Sequence, residues 1–251
     1  MTMFITLLSV SVLLLALGVL VCSVLGREVP ARSLEVAVWG VALGLFVANA
    51  AMAESLPFGN MRHVLSFFPL VLGPAALYMR RCRGVDLTAC FAGVAAVAMV
   101  GALCMPMQAT WRQMPALQSP WFVPHVTSYV VAYGLLAVSV VEIIRSYFRG
   151  QECAWRAADE VVRLAFPFLT FGLWSGALWA DAAWARYWAW DIKEVWALIT
   201  WVIYLLYFHL PSTVSVGWRR ALLLLGFAAV LVTFFVVNLL PDIVSVHSYA
   251  Q

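Results

Sequence analysis

Four histidines and a dense run of tryptophans are the residues in this sequence with chemistry to offer. From Trp179 to Trp190 the chain reads WADAAWARYWAW, four Trp and Tyr187 within twelve positions, and it continues DIKEVWALITW. Seven of the twelve Trp lie between Trp174 and Trp201. Two readings stand. Trp gathers at both surfaces of a membrane, so the run can be an interfacial belt. A belt, however, spreads over both faces, whereas this cluster occupies one stretch. A dense aromatic floor suits a large, flat, apolar ligand held by stacking and burial. Asp191, Lys193 and Glu194 follow the floor. Acids there also suit a helix start, near the positive end of the dipole. Arg186 and Lys193 are the bases of the stretch; they can pair with carboxylates of a ligand or with Asp191 and Glu194.

His125 follows Trp121-Phe-Val-Pro124, and His247 lies in the C-terminal segment. Neutral imidazole is a common ligand of haem iron. Two imidazoles flanking an aromatic floor would fill both axial positions of one iron; the alternative is a pair of ordinary polar residues at an interface. His209 lies fifteen residues after Glu194. On a continuous helix that is about 22 Å deeper. An ionisable residue inside a membrane is a functional candidate. The other reading is a histidine that snorkels from a helix end, since Pro211 follows closely. His63 stands beside Arg62 with no aromatic cluster around it and reads as a solvated loop residue.

The elements that must position these groups are membrane spans. The chain has 251 residues, 65% hydrophobic and 11% charged, with a mean hydropathy of +0.94. A soluble domain is nearer half apolar and a quarter charged. The fold class is therefore an all-α polytopic membrane protein. A span needs about 20 mostly apolar residues. Eight stretches qualify, at roughly 3–25, 36–53, 64–79, 87–107, 123–144, 164–180, 195–210 and 221–240. The first lacks a basic leader and reads as an uncleaved helix. The whole of 1–251 reads as one integral membrane domain, with the Trp-rich loop at about 179–194. Eleven of the fifteen basic residues fall in the odd-numbered loops and four in the even-numbered ones. The positive-inside rule then puts the odd loops in the cytoplasm and both termini outside. On that topology His125, His247 and the Trp-rich loop share the outer face, and His209 lies deep, toward the inner one.

Several function classes fall away. A net charge of +3, scattered along the chain, is no footprint for nucleic acid. The five cysteines, Cys22, Cys82, Cys90, Cys104 and Cys153, form no C-x-x-C pair, so the chain is neither a c-type cytochrome nor a thiol oxidoreductase of the usual motif. A zinc-hydrolase H-E-x-x-H and a G-x-S-x-G elbow are both missing from the sequence. The helices carry too few acids for an ion transporter.

The stretch Trp184 to Trp201, WARYWAWDIKEVWALITW, closely resembles the "WWD" signature of the cytochrome c assembly family, in its CcsA/ResC branch of the System II pathway. That branch typically reads W-G-x-Y-W-x-W-D-P-K-E-x-W-x-L-I-x-W. The likeness extends from Ser119-Pro-Trp-Phe-Val-Pro-His125, through the Tyr-Phe-His209 ending of the seventh span, to Val237-Asn238-Leu239-Leu240 and His247-Ser248-Tyr249. Ala185 stands where Gly is usual, Ile192 where Pro is usual, and Pro241-Asp242 where Gly is expected.

The resemblance implies a protein of c-type cytochrome biogenesis that binds haem b. It would move haem from the cytoplasmic to the outer side and present it for thioether attachment to the CXXCH thiols of apocytochrome c. It implies His125 and His247 as outer axial ligands and His209 as the intramembrane ligand. Trp179, Trp184, Tyr187, Trp188, Trp190 and Asp191 would form the haem platform. Implied partners are a CcsB/ResB-like membrane protein, apocytochrome c and thiol-reducing proteins. The implied setting is a bacterial cytoplasmic membrane or a thylakoid membrane. Such a protein is a subunit of a holocytochrome c synthase; the other readings are a haem exporter without attachment activity and a HemX-like regulatory membrane protein.

Overall fold

The computed structural model describes residues 1–106, 115–149 and 152–236. Eight helices account for the eight predicted spans: α1 Thr2–Val24, α2 Glu28–Ala53, α3 Met61–Cys82, α4 Thr88–Cys104, α5 Phe122–Arg149, α6 Glu152–Trp184, α7 Ile192–His209 and α8 Val216–Leu231. Six of them are long and apolar enough to cross a membrane, α8 when counted on to Phe235, and α4 is a shorter apolar helix. The chain is an all-helical, multi-pass membrane protein. The remaining helix, α3, keeps its arginines at its ends, Arg62 in its first turn and Arg80 and Arg81 in its last. Packing divides the chain into two compact units, 1–114 and 115–251.

In the first unit α1 packs on α2 and α4, and α3 closes the group against α2 and α4. Small side chains let the helices approach; Ala42, Ala48, Ala92 and Ala96 sit in the same apolar cluster as Leu45 and Met99. Backbone groups in such a setting must find partners within the protein. Pro74 of α3 has no N–H to offer the Leu70 carbonyl four residues back. The Trp39 indole of α2 donates there instead, at 3.1 Å. The indole fits because residue 73 is glycine: a Cβ there would lie 2.8 Å from the ring.

His63 departs from expectation. It is buried, 3% exposed, in the first turn of α3 rather than solvated in a loop. The cause is its neighbour. Arg62 donates to the carbonyls of Ala102 and Met105 at 3.1 and 2.9 Å, satisfying the end of α4. That reach draws the turn inward, with Asn60 capping it by accepting from the His63 backbone N–H at 2.8 Å.

In the second unit α5 and α6 form an extended antiparallel pair, α7 and α8 pack together, and α8 also meets α5. A 3₁₀ turn, Pro115–Gln118, precedes α5, and a π-helical turn, Val232–Val236, follows α8. Both α5 and α6 overrun their predicted spans. The extra turns of α6 hold Asp159 and Arg163, which pair at 2.9 Å four residues apart, so the helix continues where the charges begin. Glu142 of α5 lies buried more than a turn from the helix end and accepts from Arg145 at 2.6 Å. Buried hydroxyls bond back into their own helices: Ser139 donates to Leu136, and Thr200 to Trp196.

Candidate functional site

The start of α5 and the end of α6 lie side by side in the second unit, and His125 sits where they meet. Its ring stacks on Trp179 of α6, centroids 5.4 Å apart at 24°, and meets the edge of Tyr129 at 5.0 Å. Two glycines of α6 make room here, Gly176 for this ring and Gly172 for Tyr129, whose ring a Cβ would approach to 3.1 Å. The His125 Nδ1 lies 2.8 Å from the Gly172 carbonyl. A carbonyl can only accept, so Nδ1 carries the proton and Nε2 carries the lone pair. One turn on, a Cβ at Gly176 would fall 2.6 Å from both Cε1 and Nδ1 of the imidazole. The ring therefore lies directly on bare helix backbone. Sequence reading passed over this pair, although its signal is present: Gly172 and Gly176 form a G-x-x-x-G step, the spacing that lets something approach a helix closely.

Aromatic contacts run on from the imidazole. Trp179 is 2% exposed and touches Phe122 at 5.4 Å and Trp184 at 4.9 Å. Trp121 packs edge-on to Trp174 at 5.5 Å. The expected loop at 179–194 is thus half helix: α6 carries Trp179 and Trp184, and only residues 185–191 link it to α7. In that link Trp188 meets Trp190 at 6.1 Å, while Tyr187 and Trp190 are 59% and 71% exposed. The Trp188 Nε1 is buried with no acceptor among the described residues. Arg186 is exposed and forms no ion pair among the described residues.

Asp191 is the N-cap of α7. It accepts from the Lys193 backbone at 3.2 Å, while Glu194 accepts from the backbones of Asp191 and Ala189 at 3.2 and 2.8 Å. This is a capping box. The acids thereby fix the angle at which the link enters α7, whatever else Asp191 contacts. Both departures from the signature have a physical meaning here. Ala185 ends α6 with φ 54°, donating to Asp181 at 2.8 Å, in the left-handed region that favours glycine. Ile192 is the first residue of α7, the position where proline is favoured. Ala185→Gly is expected to relieve the left-handed strain and stabilise the protein by about 1 kcal/mol. Thermal unfolding in detergent checks it; a lower midpoint than the parent's would contradict the assignment.

His209 closes α7 at the opposite end of the unit. Its Nδ1 lies 2.8 Å from the Leu205 carbonyl, so it too keeps its lone pair on Nε2, and the residue is exposed. It does not meet His125: at 1.5 Å per residue α7 is about 27 Å long. His247 lies outside the described residues, as do Asn238 to Leu240 and Tyr249.

The sequence matches the family described as Cytochrome C assembly protein over residues 7–245. The chain belongs to the cytochrome c assembly family. The match takes in the first hundred residues as well as the stretch from Ser119 onward. Among curated relatives, a "Cytochrome c biogenesis protein CcsA" of Chlamydomonas reinhardtii is 34% identical over 57% of this chain and 44% of its own length. A protein of that name in Mesostigma viride is 31% identical over 59% of this chain and 60% of its own. In Adiantum capillus-veneris the figures are 27%, 82% and 82%. The chain thus spans about half the length of several relatives it matches, and within the family it sides with the CcsA branch. A solved structure of "Cytochrome c Heme Lyase CcmF" superposes with a TM-score of 0.69, covering 91% of this chain and 45% of that one, at 19% identity. That likeness is one of fold.

Proposed function

We propose that this member of the cytochrome c assembly family binds haem b at the face formed by His125, Trp179 and Trp184 and presents it outward to apocytochrome c. The observation that carries the reading is the state of His125. Its Nδ1–H is committed to the Gly172 carbonyl, the ring is clamped by Trp179 and Tyr129, and Nε2 holds the lone pair an iron needs. His247 is proposed as the second outer ligand. Trp188, Trp190, Tyr187 and Asp191 belong to the same platform, and the buried Trp188 N–H offers a donor to a polar edge of the ligand.

His209, with the same tautomer at the other end of α7, is proposed to receive haem from the cytoplasmic side. Attachment is thiol addition. The S–H of each CXXCH cysteine adds across a vinyl group, the C–S bond forms, and the hydrogen goes to the neighbouring carbon. No external oxidant is consumed. This chain supplies orientation and an aromatic surface, and the substrate supplies the nucleophile. A CcsB/ResB-like membrane protein is the proposed partner, with thiol-reducing proteins keeping the CXXCH cysteines reduced. The setting is a bacterial cytoplasmic or a thylakoid membrane.

His125→Gly is expected to abolish the outer six-coordinate spectrum, and millimolar imidazole is expected to restore part of it by filling the vacated berth. An absorption spectrum of the purified variant identical to the parent's would refute the ligand assignment.

A further inference from the structure

The end of the second unit that holds His209 also gathers cations, and most are already engaged. Arg145 pairs with Glu142 at 2.6 Å and Arg163 with Asp159 at 2.9 Å. Arg219 donates to the carbonyls of Leu210, Pro211 and Val214 at 3.2, 2.7 and 3.2 Å, holding the turn just after His209. Arg156 is exposed to solvent. Arg220 differs from all of these. Its guanidinium carbon lies 4.9 Å from the Tyr147 ring centroid and 5.6 Å from that of Trp155. The group is half-buried, it has no carboxylate partner among the described residues, and its Nε is buried with no acceptor among them.

Aromatic rings hold a guanidinium by its faces and leave its N–H edge in the plane between them. That edge matches a carboxylate in a two-point hydrogen bond. A buried N–H without an acceptor is costly, so this edge is built for something that arrives. His209 is near. Trp155, one of these two rings, also meets the edge of Tyr207 at 6.5 Å, two residues before His209. Arg219, the neighbour of Arg220, binds the two carbonyls that follow His209. Haem carries its iron at the centre and both propionates on one edge. A ligand imidazole and a carboxylate-binding arginine at the same helix end are the two contacts that would orient such a molecule.

We propose that Arg220, held over the rings of Tyr147 and Trp155, receives the propionate carboxylates of haem at the His209 end of the second unit. The assignment rests on the haem reading above and adds the group that recognises the acidic edge. It fixes the direction in which haem is taken up, with iron toward His209 and propionates toward α5 and α8.

The test compares haem with its dimethyl ester, in which both propionates are methylated. The full chain is reconstituted in phosphatidylcholine nanodiscs in a background carrying both His125→Gly and His247→Gly, so that binding at His209 is read alone by its Soret band. Arg220→Gln is expected to weaken haem binding about tenfold or more, equivalent to about 1.4 kcal/mol, and to leave ester binding unchanged. Arg220→Lys, which keeps the charge and loses the fork, is expected to fall between. Equal affinities of parent and Arg220→Gln for haem overturn the assignment while leaving the haem reading intact. Equal weakening for haem and ester also overturns it, because the residue is then only structural. An Arg220 effect that appears solely in phosphatidylglycerol nanodiscs assigns the guanidinium to a lipid headgroup and overturns it too. A parent protein that takes up neither porphyrin overturns both readings together.

Discussion

Gly176→Ala is expected to disable the outer site nearly as thoroughly as removing His125 itself. A methyl group at residue 176 would stand 2.6 Å from two atoms of the imidazole. The neighbour it strikes is no flexible chain end. The ring is stacked on Trp179, meets the edge of Tyr129 and is held at Gly172 by a 2.8 Å hydrogen bond. It has to leave the helix surface, and the Nδ1 contact goes with it. Overpacking of this kind costs about 1–3 kcal/mol in stability. Losing the bond that orients a metal-binding histidine costs about 10–100-fold in affinity. The two variants separate on rescue. His125→Gly leaves a hole that free imidazole can fill, whereas in Gly176→Ala the displaced ring still obstructs it, so added imidazole restores little. Titration of the outer haem spectrum with imidazole in both variants checks this, and equal rescue would contradict the berth described here.

His209→Ala is expected to deplete haem at both ends of the second unit, with affinity at its own site falling at least about 100-fold, since a ligand is lost rather than its support. The reason is sequence in space. His209 and His125 sit at opposite ends of the α5–α8 unit, and on the proposed route a cargo taken up at the first reaches the second only afterwards. The substitution itself is mild for the fold, because the side chain is exposed and its one hydrogen bond is to its own helix, at Leu205. Haem content per protein, measured by pyridine haemochrome, falls at both ends if His209 is the point of uptake. A normal outer spectrum in this variant would show that haem reaches His125 by another route.

Much of this arrangement can be read from residue order, and the exceptions are instructive. Hydropathy located all eight helices because lipid leaves a spanning chain few alternatives to the α-helix. The length of α6 was hidden, since Arg156, Asp159, Glu160 and Arg163 look like loop until Asp159 is seen between Arg163 and Tyr207, both of which donate to it. His63 misleads for a similar reason: its burial follows from where Arg62 reaches, a contact 40 residues away in the chain. Trp184, Trp188 and Asp191 announce themselves by type and spacing. Gly172 and Gly176 do not, because a glycine's meaning depends on what lies against it. Asp191 proves to be a helix cap in the structure, the plain role its position allowed, and the proposed platform is built around that cap. His247 lies outside the described residues, so its part in the outer site stands as a proposal.

The proposed site stands or falls with imidazole gripping haem iron on the Trp179 face. The most direct measurement is the low-temperature absorption and electron paramagnetic resonance spectrum of the full chain, purified from haem-replete membranes, beside His125→Gly. A low-spin, bis-imidazole signal is expected in the parent, shifting to high spin in the variant and returning in part with added imidazole. A colourless parent, or a low-spin signal indifferent to His125, would contradict the proposed site.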